Sequence, residues 1–118
     1  MKTLVLGASP NKERYSYKAI HNLVDKSYQV VAIGAKKGMA FDIPIETEKV
    51  DFHGVDTVTL YLNPKKQSAY YDYILSLKPR RVIFNPGTEN IEFYTILEKN
   101  NINYEVACTL VLLATNQY

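Results

Sequence analysis

Gly7-Ala8-Ser9-Pro10 follows a short apolar run, and Arg14-Tyr15-Ser16 comes next at the start of a helical pattern. A glycine after a strand lets a phosphate approach the backbone amides of the following turn. Ser9 adds a hydroxyl donor, and Arg14 carries a fork of N–H groups that fits two phosphate oxygens. The chemistry on offer is anion binding. The segment is not G-x-G-x-x-G, because Ser9, Pro10 and Asn11 stand where further glycines would be. A plain β–α turn with a surface arginine would read the same way, so the remaining strand exits must carry weight.

The second exit reads Ile33-Gly34-Ala35-Lys36-Lys37. NAD sites place an acid there for the ribose hydroxyl. Two lysines and no acid argue against NAD and leave NADP or coenzyme A, each with a phosphorylated ribose; the bland alternative is a solvated loop. Asn63-Pro64 and Asn85-Pro86-Gly87-Thr88-Glu89-Asn90 supply amides, hydroxyls and tight turns at two further exits. They are either ligand contacts or helix caps. Cys108 has no histidine near it in sequence and reads as a buried or lining thiol. His21 and His53 lack metal-ligand spacing, so no metal is expected. Lys65-Lys66 and Lys78-Arg80-Arg81 read as solvated faces, without the interleaved aromatics of a single-strand nucleic-acid binder.

The elements that must position these residues alternate. Apolar runs at Thr3–Leu6, Gln29–Ile33, Thr57–Leu62, Arg81–Phe84 and Ile102–Val106 are near-continuous, as in strands buried on both faces. Between them Ile20, Leu23 and Val24, then Tyr70, Tyr73, Ile74 and Leu77, then Phe93, Ile96 and Leu97 fall at helical spacing. Asn63 with Pro64, and Asn90 with Glu92, are helix-start signals, and Pro79 is a stop. Thr109–Ala114 reads as a last helical turn. Phe41–Glu46 fits a short third strand, set at a sheet edge by Pro44, and the stretch after it is too short for a crossover helix. The expected fold is α/β: a Rossmann-like, doubly wound, mainly parallel sheet of six strands in the order 3-2-1-4-5-6, with helices on both faces. Ligands of such sheets bind beyond the carboxyl ends of the strands, where the five exits should meet.

The 118 residues suit a single domain over 1–118. Fourteen basic against 12 acidic side chains leave a net charge of +2, too balanced for a general nucleic-acid or membrane-surface binder. One cysteine excludes an intramolecular disulfide. The opening MKTLVLGASP is too short an apolar run for a signal core or a membrane span, so a cytoplasmic location is expected.

The order and spacing of Gly7-Ala8-Ser9-Pro10, Arg14-Tyr15-Ser16, Gly34, Asn85-Pro86-Gly87-Thr88-Glu89-Asn90 and Ala107-Cys108-Thr109 resemble the small stand-alone CoA-binding domain proteins. These in turn resemble the N-terminal CoA-binding domain of the succinyl-CoA synthetase α subunit. The resemblance covers nearly the whole chain. It implies that Gly7, Ala8, Ser9 and Pro10 with Arg14, Tyr15 and Ser16 approach the phosphates of CoA or an acyl-CoA. It places Gly34 and Lys36 near the nucleotide, and Asn63, Pro64, Asn85, Pro86 and Gly87 along the pantetheine arm. The chain departs from many members in having Asn63-Pro64 where an arginine-containing segment often follows the fourth strand. The synthetase phosphohistidine has no counterpart, so ligase chemistry is not carried over. The expectation is a CoA-binding protein without catalysis of its own, acting as a homo-oligomer or with a partner enzyme. Its rivals are a minimal NADP-dependent reductase, for which no Tyr-x-x-x-Lys pair is evident on a helix, and an interaction subunit without ligand.

Overall fold

Successive residues of a strand point to opposite faces, and the first strand, β1 (Lys2–Ala8), divides its side chains between two cores accordingly. In the computed structural model, which describes residues 1–118, Leu4 and Leu6 enter one core and Val5 the other. A bulge at Gly7 breaks the alternation: the pairing steps from Leu6–Ile33 to Ala8–Gly34, and Ala8 joins the face of Val5. The chain continues through α1 (Tyr15–Asp25), β2 (Gln29–Gly34), β3 (Gly38–Ala40), β4 (Ile43–Glu46) and β5 (Val55–Leu60). Next come α2 (Pro64–Gln67), a 3-10 turn over Ser68–Tyr70, α3 (Tyr71–Leu77), β6 (Arg81–Phe84), α4 (Ile91–Lys99), β7 (Asn103–Val106) and α5 (Thr109–Ala114).

The sheet runs β3-β4-β2-β1-β5-β6-β7. Six strands, β4-β2-β1-β5-β6-β7, pair in parallel and in the expected order. The seventh is a correction. The expected third strand, Phe41–Glu46, is shorter at its start, and β3 pairs antiparallel to β4 outside it. Phe41 and Asp42 form the connecting turn at φ +44° and +65°, the left-handed backbone that two-residue hairpins require. Phe41 holds this conformation while stacked on His21, with ring centroids 3.9 Å apart. Pro44 therefore lies opposite Met39 within the sheet and not at its edge. Residues 47–54 carry no helix, as expected. The strand expected at Thr57–Leu62 both begins and ends two residues earlier.

Helices cover both faces. On one, Ile74 of α3 with Phe93 and Leu97 of α4 pack on Leu4, Leu6, Val58, Leu60, Val82 and Phe84. On the other, Ile20 and Leu23 of α1 with Leu113 of α5 pack on Val5, Ala32 and Ile45. Phe84 and Phe93 are fully buried and meet edge to face at 5.8 Å; burial of each contributes about 1.5–3 kcal/mol. Caps fix two helix starts: Asn63 Oδ1 accepts from Lys66 N at 3.0 Å and Asn90 Oδ1 from Phe93 N at 3.2 Å. Lys78 ends α3 in the left-handed region, directly before Pro79. The expected solvated face at Lys78-Arg80-Arg81 fails at Arg81, which is 5% exposed. Its Nε donates to Thr57 Oγ1 at 3.0 Å, and its guanidinium lies 4.5 Å over the Tyr118 ring. An arginine in a strand paired on both sides must find partners inside; here a threonine, a tyrosine ring and Glu105, 3.5 Å from Nη1, supply them, while Nη2 stays buried without a partner.

Candidate functional site

The carboxyl ends of β1 and β5 diverge around the start of α1 and leave a cleft of about 650 Å³. The bulge at Gly7 shapes its floor. Gly7 sits at φ +97°, and a Cβ there would lie 2.9 Å from the Tyr61 carbonyl carbon. Only glycine tolerates both the conformation and the approach. The loop above is tied by its own side chains: Asn11 N donates to Ser9 Oγ at 3.1 Å and Glu13 N to Asn11 Oδ1 at 3.0 Å. Ser9 accepts in this contact, so its hydroxyl proton stays free to donate.

At the start of α1, Arg14 occupies the capping position at φ −76°, ψ 144° and makes no side-chain cap. No carboxylate stands in the first turn, so the helix presents uncompensated N–H groups and the positive end of its dipole. Arg14 and Lys36 face this space, and Lys66 reaches it from α2. None of the three takes part in an ion pair of the structure, and no Asp or Glu lines the cleft.

The structure brings Gly7, Ala8, Ser9, Pro10, Arg14, Tyr15, Ser16, Lys36 and Pro86 to this one wall. It does not bring Gly34, Asn63, Pro64, Asn85 or Gly87 there. Gly34 lies inside the sheet, where a Cβ would come 2.1 Å from the Ala8 carbonyl oxygen. Asn63 spends its side chain on the α2 cap. Asn85 is buried and fully engaged: Nδ2 donates to Thr59 Oγ1 at 2.7 Å and the Leu60 carbonyl at 2.9 Å, and Oδ1 accepts from Thr109 N at 2.8 Å. It knots β5, β6 and the start of α5 together. Gly87 is an open turn at φ +93°, its N–H bonded to Glu89 Oε1. Thus the five strand exits meet only in part. The cleft also takes in Asn11, Ala35, Tyr61, Leu62 and Lys66, which the sequence did not single out. Lys65 and Lys66 are both exposed, as expected, and Lys66 also lines the cleft.

Tyr61 and Lys65 have Tyr-x-x-x-Lys spacing, but Tyr61 precedes α2 and its hydroxyl is buried without a hydrogen-bond partner. Burial and the neighbouring Cys108 push this phenol well above its usual range. Cys108 itself is half-buried at the start of α5. No group of three or more His, Cys, Asp or Glu side chains is placed to hold a metal, and no helix is long and apolar enough to cross a membrane.

A family model described as a CoA binding domain matches residues 1–114. The chain belongs to the CoA-binding domain family. A crystal structure described only as that of an uncharacterized protein superposes with a TM-score of 0.96 at 49% identity, covering 99% of this chain and 97% of that one. A Thermus thermophilus protein of 19% identity superposes at 0.85, covering 99% of this chain and 90% of its own. A hypothetical protein from Pyrococcus horikoshii OT3, 21% identical, superposes at 0.83 over 92% of this chain and 78% of that one. These last two share the Rossmann-like fold. No curated protein matches the chain.

Proposed function

We propose that the cleft holds coenzyme A, free or acylated, and that the protein binds this ligand without catalysing a reaction on it. One observation carries the reading: Arg14, Lys36 and Lys66 converge unpaired on the uncapped start of α1, with no carboxylate among the lining residues. Three cations without counter-ions along one cleft give it a positive potential that draws an anionic ligand. The pyrophosphate belongs over the Gly7 bulge, where the α1 amides, the Ser9 hydroxyl and the Arg14 fork face it. Lys36, just beyond β2, stands where the ribose phosphate of CoA would be met. Leu62, Pro86 and the Tyr61 ring form an apolar strip for the pantetheine arm. Asn63 caps the helix that carries Lys66, and Asn85 fixes the ends of β5 and β6 beside the strip.

Titration calorimetry with CoA, dephospho-CoA, NADP and NAD tests the reading. CoA binds, and removal of the ribose phosphate weakens it by roughly 10- to 150-fold, the worth of a charge-assisted contact. NAD does not bind. Binding of NADP without CoA turns the reading to a reductase. Failure of all four leaves an interaction subunit.

A further inference from the structure

Of the ten tyrosines, nine pack against one of the two hydrophobic cores, and Tyr15 alone does not. It is 69% exposed, yet it lines the cleft as the first residue of α1. Its only ring neighbour is a cation, Lys18 Nζ, 5.4 Å from the centroid. An exposed aromatic ring beside a cationic rim suits a flat aromatic group that carries phosphate. On the reading of the cleft as a CoA site, we infer that Tyr15 is a stacking platform for the adenine ring, the only aromatic part of that ligand. The placement is consistent with the charges. The base hangs from a ribose whose phosphate meets Lys36 and whose 5′ side runs to the α1 amides, and both line the same cleft as Tyr15. Tyr15 is thus a positioning residue for the nucleotide half, separate from the apolar strip at Leu62 and Pro86.

Two half-ligands distinguish this role from a general loss of binding: adenosine 3′,5′-bisphosphate and 4′-phosphopantetheine. Stacking of a base on an aromatic side chain is typically worth a factor of roughly 5 to 150 in affinity. Tyr15→Leu should lose that factor for CoA and for the bisphosphate, and leave 4′-phosphopantetheine unchanged. Tyr15→Phe should retain wild-type affinity for all three, because the face and not the hydroxyl is used. The exposed position makes both variants fold, which their unchanged melting temperatures would verify. In wild-type protein the bisphosphate should quench tyrosine fluorescence, and it should do so less in Tyr15→Leu. Equal bisphosphate affinity in wild type and Tyr15→Leu overturns the inference while leaving CoA binding intact. Loss confined to 4′-phosphopantetheine overturns it by placing the ring on the pantetheine arm. If wild-type protein binds none of the three ligands, the CoA reading itself fails, and the stacking role fails with it.

Discussion

Replacing Arg14 with alanine separates the ligand-binding value of this side chain from its structural value. In the folded protein Arg14 is exposed, caps nothing through its side chain and joins no ion pair. Its charge also sits at the positive end of the α1 dipole, where a cation opposes the helix by a few tenths of a kcal/mol up to about 1. Arg14→Ala should therefore leave unliganded stability within about 0.5 kcal/mol of wild type, or raise it slightly. Binding should behave differently. A charge-assisted contact contributes about 1.5–3 kcal/mol, so CoA affinity should fall by roughly 10- to 150-fold. Arg14→Lys should restore only part of this, because an ammonium keeps the charge and loses the fork. Calorimetric titration of the three proteins, with melting curves alongside, reads both quantities. Unchanged CoA affinity in Arg14→Ala would refute the reasoning and leave the amides around Gly7 as the phosphate anchor.

Gly34→Ala places a methyl group 2.1 Å from the Ala8 carbonyl, and neither backbone can yield without parting β1 from β2; the melting temperature should drop by several degrees or more, given about 1–3 kcal/mol for overpacking. Asn85→Leu strands the Thr109 N–H and the Leu60 carbonyl inside the protein, and denaturant titration should show a loss of about 2–4 kcal/mol. At high pH, Tyr73, pushed up to about 12 by burial and the nearby Asp51, keeps its proton in the folded state after it would leave the unfolded chain near 10. The folded state then binds more protons across that window, so stability should fall as pH rises from about 10 to 12, and Tyr73→Phe should flatten the slope. A slope unchanged by Tyr73→Phe would remove this residue as its cause.

The parallel sheet was legible because strands covered on both faces are written as continuous apolar runs. Arg81–Phe84 is such a run, and its bounds match β6. The β3–β4 hairpin was not, because its turn is Phe41-Asp42 and lacks the Asn-Gly or Asp-Gly pair that announces two left-handed residues. What holds Phe41 there is His21, a partner twenty residues away that no local pattern reveals. The site was half legible. Gly7 to Asn11 and Arg14 to Ser16, close together in sequence, lie together at the cleft. Asn85 and Gly34 stand in the same exits but turn inward, because packing, and not residue type, decides whether a polar group at a strand end faces ligand or knots the fold. Lys66 is solvated, as its sequence suggests; its place at the cleft was hidden because α2 carries it there from the end of another strand.

The sheet face under α1 and α5 is finished by residues 109–118. Tyr118 and Thr3 share a hydrogen bond across 115 residues of sequence, and Thr109 closes on Thr59. β1 is also the centre of the sheet, and the other six strands follow it in sequence. During synthesis it must wait for its neighbours on both sides, and its α1 face stays open until residues 109–118 have emerged. Productive folding is therefore expected to need a nucleus built from distant segments, with the slow rates that such topology brings. Until then the chain exposes parallel strands whose pairing partners do not yet exist, which makes the interval of synthesis its period of greatest exposure to aggregation.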